Sequence, residues 1–135
     1  MANPLKHTIH LTALVAIFAV MPALAGDTTP AAQLAQWETA AGQRGDPTRG
    51  QTFFTQKHGK AWSCASCHGA PPSKTGEHAD TGKRIKPLAP AYNDTAFTKL
   101  AKTEKWFRRN CQDVVGRECN AAEKADVLSY IIGVK

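Results

Sequence analysis

The sequence predicts an all-α fold, and three observations predict it. Four stretches carry apolar residues at helical spacing. A long segment between the second and third is dense in proline and glycine, which marks loop. No run alternates as a half-buried strand would.

The elements follow in order. Pro30 to Ala41 reads as a first helix, with Leu34, Trp37 and Ala41 on one face, and Gly42 to Gly45 end it. Asp46-Pro47 opens a second, because a carboxylate suits the N-cap and proline suits the first helical position. That helix carries Gly50, Phe53 and Phe54 and runs to about Lys57. Pro71, Pro72, Gly76, Gly82, Pro87 and Pro90 break up the segment from Gly69 to Ala91. A loop of that length in a small domain is usually functional or wrapped around something. Tyr92-Asn93-Asp94 opens a third helix, with Phe97, Leu100 and Phe107 on one face and an end near Arg109. The last helix starts at Asn120, where Glu123 three residues on completes a capping box. Ala125, Leu128, Ile131 and Ile132 form its buried stripe.

The N-terminus has the features of a secretory signal. Lys6, His7 and His10 precede an apolar run of 11 residues, Leu11 to Met21. Pro22 breaks the run, and Ala23-Leu24-Ala25 places a cleavage site before Gly26. The run is too short to span a bilayer, which takes about 20 residues. Residues 1–25 are therefore expected to be removed and residues 26–135 to form one domain in the periplasm, with no membrane attachment. The net charge of the full chain is +6, and it stays positive without Lys6, which favours an acidic docking partner. Export argues against nucleic acid. Cysteines left free in an oxidising compartment tend to pair, and the chain has four: Cys64, Cys67, Cys111 and Cys119.

The motif that carries chemistry is "SCASCHG", Ser63 to Gly69. Cys64-x-x-Cys67-His68 is the signature of covalent haem c attachment. Residues three and four apart share a helix face, so both thiols reach one porphyrin edge while His68 turns its imidazole to the iron. Two other chemistries use Cys-x-x-Cys. A thioredoxin-like pair needs a βαβ setting, which is absent. A zinc site would need Cys111 and Cys119 as its other half. His68 is expected to donate its second ring nitrogen to a backbone carbonyl, Pro87 or Pro90.

The far side of the iron is the open question. A methionine is excluded, because Met1 and Met21 both lie in the segment expected to be removed. His58 and His78 remain, each ten residues from His68. Asn110 is another candidate, either as an ordinary helix C-terminal residue or as a ligand through its amide oxygen. Cys111 and Cys119 beside it are placed to close a disulfide around a tight loop.

"GDTTPAAQL", "SCASCHG", "TGKRIKPLAPAYN", "FTKLAKTEKWFRRNC" and "GREC" with "NAAEKADVLSYI" together resemble the SHP family, the sphaeroides-type haem proteins. The resemblance runs over most of the chain after residue 25. It implies a small exported monohaem cytochrome of the class I cytochrome c fold. It implies that Asn110, just before the first cysteine of the disulfide, is the sixth iron ligand, and that Cys111 pairs with Cys119. The related c'' cytochromes have histidine at the ligand position. A dihaem cytochrome c is implied as electron donor.

An amide oxygen is a hard, weak donor that suits ferric better than ferrous iron. Reduction is thus expected to release Asn110 and open the iron to O2, NO or CO. Two functions remain open: electron transfer with binding or turnover of O2, NO or nitrogen oxides, or plain electron transfer. Lys83, Arg84, Lys86, Lys99, Lys102, Arg108 and Arg109 are candidates for a basic docking surface.

Overall fold

The computed structural model describes residues 28–135; the expected signal segment lies outside the described residues. The elements are α1 (Pro30–Ala41), α2 (Pro47–Thr55), α3 (Cys64–His68), β1 (Gly76–Glu77), β2 (Arg84–Ile85), a 3-10 turn (Pro90–Tyr92), α4 (Leu100–Val114) and α5 (Ala121–Gly133). The fold is all-α apart from one two-residue antiparallel ladder, in which Gly76 faces Ile85 and Glu77 faces Arg84. No described helix is long and apolar enough to cross a membrane.

Local chemistry sets most of the boundaries. Thr29 caps α1 by accepting from the Ala32 N–H, and Gly42 closes it in the left-handed conformation. Asp46 caps α2 through the N–H groups of Thr48 and Arg49. Asn120 and Glu123 exchange the reciprocal bonds of a capping box at α5.

The core forms where α5 crosses α1 and α2. Trp37 of α1 packs with Ala125 and Leu128. Phe54 of α2 packs with Val127, Tyr130 and Ile131. Gly50 lies against the Asp126 carbonyl so closely that a β-carbon would collide with it. At the same crossing the Asp126 carboxylate accepts from the Asp46 N–H at 2.7 Å and from Arg49 Nε and Nη2 at 2.8 and 2.7 Å. This ties the start of α2 to α5.

The third predicted helix is placed differently. It begins at Leu100, not at Tyr92, and runs to Val114, past Arg109. Asn93 does not cap it. Its Nδ2 donates to the Pro87 carbonyl at 2.7 Å and its Oδ1 accepts from the Thr95 N–H and hydroxyl, which is a local turn. Phe97, at φ 56°, keeps the helix from starting earlier. Gly116, at φ 83°, follows its end. Asn110 is therefore a helix-interior residue, and its reading as a C-terminal residue falls away. The hairpin formed by β1 and β2 also went unseen in the sequence, because two-residue strands carry no alternation to detect.

Candidate haem site

The residues of "SCASCH" form a single helical turn, α3, capped by a box between Ser63 and Ser66. Cys64, Cys67 and His68 all line one cavity of about 510 Å3. The cavity's apolar wall includes Phe54, Phe97, Phe107, Val127 and Ile131. α4 also lines it, with Trp106, Phe107 and Asn110 among others. A second cleft, of about 450 Å3, runs along His68 to Gly76, but neither cysteine lines it.

Burial controls the chemistry of the motif. It pushes the Cys64 thiol up to about 11, with Cys67 adding a smaller electrostatic effect. The described elements hold no βαβ unit, the setting a thioredoxin-like pair needs. Burial also pushes His68 down to about 4, with a smaller contribution from His78. His68 is thus a neutral imidazole, the form that binds metal.

The zinc reading fails on placement. Cys111 and Cys119 face each other at disulfide distance, with sulfurs 1.97 Å and Cα atoms 5.7 Å apart, so they do not complete a site with Cys64 and Cys67. No described cluster of three or more histidine, cysteine or acidic side chains is arranged to hold a metal ion.

The expected orientation of His68 needs correction. Its Nδ1 is buried and has no hydrogen-bond partner among the described residues. The Pro87 carbonyl is taken by Asn93 Nδ2, and the Pro90 carbonyl accepts the Asn93 N–H.

The two alternative histidines are committed elsewhere. His58 Nε2 lies 2.8 Å from the Phe53 carbonyl, which only accepts, so that nitrogen holds the proton. His58 stacks on the Phe53 ring at 4.2 Å and does not line the cavity. His78 does line it, but its Nδ1 accepts from the Asp80 and Thr81 N–H groups at 3.3 Å. These two bonds engage Nδ1 within the turn. Sequence reading missed this, because both commitments depend on how the chain turns.

A family profile described as "Domain of unknown function (DUF1924)" matches residues 40–131. The cytochrome c-type protein SHP of Cereibacter sphaeroides is 48% identical over 114 residues, covering 82% of this chain and 88% of that protein. The chain belongs to the SHP family of c-type cytochromes. The solved structure of oxidised SHP, described as an oxygen-binding cytochrome c, matches with a TM-score of 0.72 and 46% identity, over 78% of this chain and 97% of that one. The solution structure of cytochrome c'' from Methylophilus methylotrophus, solved for insight into haem-ligand detachment, matches with a TM-score of 0.69 and 30% identity, over 78% and 93%. The fold is accordingly the class I-like, all-α fold of SHP and cytochrome c''. The cofactor of the family is haem c. The residues here fit it: two cysteines and a neutral histidine share one wall of an apolar cavity, in the attachment spacing.

The exposed part of the lining is mostly cationic, with Asp113 as its one described acidic residue. Lys83, Arg84, Lys86, Lys99, Lys102 and Arg109 all border the cavity, and Arg108 does not. Trp62 and Trp106, 38% and 46% exposed, stand among them.

Proposed function

We propose that this chain is an exported haem c protein that carries electrons and opens its iron to O2 or NO on reduction. Residues 1–25 act as a cleaved secretory signal, and residues 26–135 form the periplasmic haem domain. Cys64 and Cys67 would hold the porphyrin through thioethers, and His68 and the Asn110 amide oxygen would be the iron's two protein ligands. Cys111 and Cys119 form a disulfide that fixes the backbone after Asn110. When bound, the haem supplies a one-electron couple and, with a coordination position open, a site for O2, NO or CO.

The placement of Asn110 is the observation that carries this reading. It lines the cavity that His68 lines and comes from the last third of α4, while His58 lies outside that cavity and the His78 Nδ1 is engaged in its own turn. An amide oxygen is a weak, hard donor, so Asn110 holds ferric iron better than ferrous. Asn110 lowers the apparent affinity of any external ligand by the fraction of molecules in which it stays bound. External ligands therefore bind mainly to the reduced protein. With no methionine after Met21, the potential lies below that of a His/Met cytochrome.

Electrons arrive from an acidic donor, in this family reading a dihaem cytochrome c, at the cationic border of the cavity. This border also suits a plain electron carrier. Mixing the reduced protein with O2 and with NO separates the two: a rapidly formed ligand-bound spectrum supports gas binding, whereas oxidation without an adduct leaves electron transfer alone. The ligand assignment is tested by Asn110→Val. The ferric variant is expected to show the resonance Raman bands of a five-coordinate iron, and a spectrum identical to wild type rules Asn110 out as ligand.

A further inference from the structure

The Asn110 assignment raises a question the family motif does not answer: what sets the position of α4, so that a weak ligand meets the iron at all. A single carboxylate ties this helix to two others. Glu104 Oε1 accepts from Trp37 Nε1 of α1 at 3.1 Å, and Glu104 Oε2 accepts from Lys124 Nζ of α5 at 3.0 Å. The Lys124 ammonium also lies 5.8 Å from the centre of the Trp37 ring. Three residues along α4, Phe107 meets the same Trp37 edge to face, with ring centres 4.9 Å apart. Trp37 is buried in the core with Ala125 and Leu128, so this anchor is tied to the core packing.

The other end of α4 is held through Cys111, which faces Cys119 immediately before the α5 cap. Asn110 sits between these two fixings. It is one residue before Cys111 and six after Glu104, about 9 Å along the helix axis. Between them, Phe107 packs on the core, while Asn110 lines the cavity. Partial burial pushes the Glu104 carboxyl up, but the hydrogen bonds from Lys124 and Trp37 outweigh it and hold the carboxyl below its usual range.

We propose that Glu104 is a positioning residue for the iron cap: its two-way bond to Trp37 and Lys124 holds α4 where the Asn110 amide reaches the iron. This rests on Asn110 being the ligand. With the bond intact, the ferric protein is predominantly capped. With it broken, α4 is free to turn about its own axis, which swings the Asn110 side chain off the iron although Cys111 stays in place, and the iron becomes more open before any electron arrives.

The test uses the ferric holoprotein with cyanide as probe. Glu104→Ala is expected to shift the coordination-marker Raman bands toward five-coordinate and to raise apparent cyanide affinity about tenfold, as a fall in the capped fraction requires. Glu104→Gln keeps an acceptor for Trp37 but loses the Lys124 charge pair, and is expected to fall between Ala and wild type. Lys124→Met, which leaves α4 unmutated, is expected to move in the same direction as Glu104→Gln. A melting temperature that drops while Raman bands and cyanide affinity stay at wild-type values means Glu104 only stabilises the fold, and overturns the proposal. Should Glu104→Ala not yield folded protein, Glu104→Gln and Lys124→Met decide the same question. Asn110→Val run alongside separates the failures. If it leaves the ferric bands unchanged, the ligand assignment itself is wrong. If it changes them and the Glu104 and Lys124 variants do not, the positioning role alone is wrong.

Discussion

Individual side chains decide which atom can reach the iron. His58 and His78 looked equivalent in the sequence, each ten residues from His68. In the fold they part from Asn110 by placement: His58 bonds to the Phe53 carbonyl outside the cavity, and the His78 Nδ1 accepts from two backbone N–H groups of its own turn. His78→Ala is accordingly expected to leave the ferric absorption and Raman spectra at wild type. Conversion to a five-coordinate form would mean that His78, not Asn110, caps the iron. The attachment motif was legible from its spacing alone, because spacing is what its chemistry requires. The commitments of the other histidines were not, because they are made by partners that only the folded turns bring near.

At the level of elements, the capping chemistry was readable and the apolar periodicity was less so. Thr29, Asp46 and Asn120 each sit at a helix start and accept the bonds their type favours. Asn93 has the same chemistry and does not start a helix, since its amide is used on Pro87 and Thr95 within a turn. That competition moved the start of α4 to Leu100, while its end moved to Val114. The four-turn helix that results is what carries Asn110 alongside the cavity. The crossing of α2 on α5 shows a different kind of limit. Gly50 could be read as a helix residue, but not as the point where the backbone of α2 meets the Asp126 carbonyl. Gly50→Ala is expected to force the two helices apart and to cost roughly 1–3 kcal/mol, as overpacking does. Urea unfolding of the holoprotein measures it, and an unchanged midpoint would mean the crossing adjusts freely.

For the molecule as a whole, carboxylates cap helix starts and, at Glu104, join separate helices, and this makes the fold acid-sensitive. Asp46 is held below its ordinary value of 3.8, chiefly by the Arg49 N–H. Glu123 is held below 4.5, chiefly by the Arg117 guanidinium, and Glu104 is held below 4.5 by bonds that outweigh its burial. Each folded-state value is depressed, so the stability these groups add is fully present above the unfolded value and is lost as pH falls through the folded one. The melting temperature of the ferric protein is therefore expected to hold between neutral pH and about 5 and to fall below 4.5. Glu123→Gln is expected to flatten part of that fall, and an equal fall in the variant would remove Glu123 from the account. The family resemblance and the all-α class were visible in the chain, and so was the need for a large apolar prosthetic group to fill the long loop. The hairpin of β1 and β2 was not. Its Gly76 lies against the Cys67 carbonyl with no room for a β-carbon, and the Ala79 N–H rests 3.3 Å from the Cys67 sulfur. The hairpin is thereby tied to the Cys64–His68 turn at two points, so anything joined to the Cys67 sulfur has this backbone segment as its immediate neighbour.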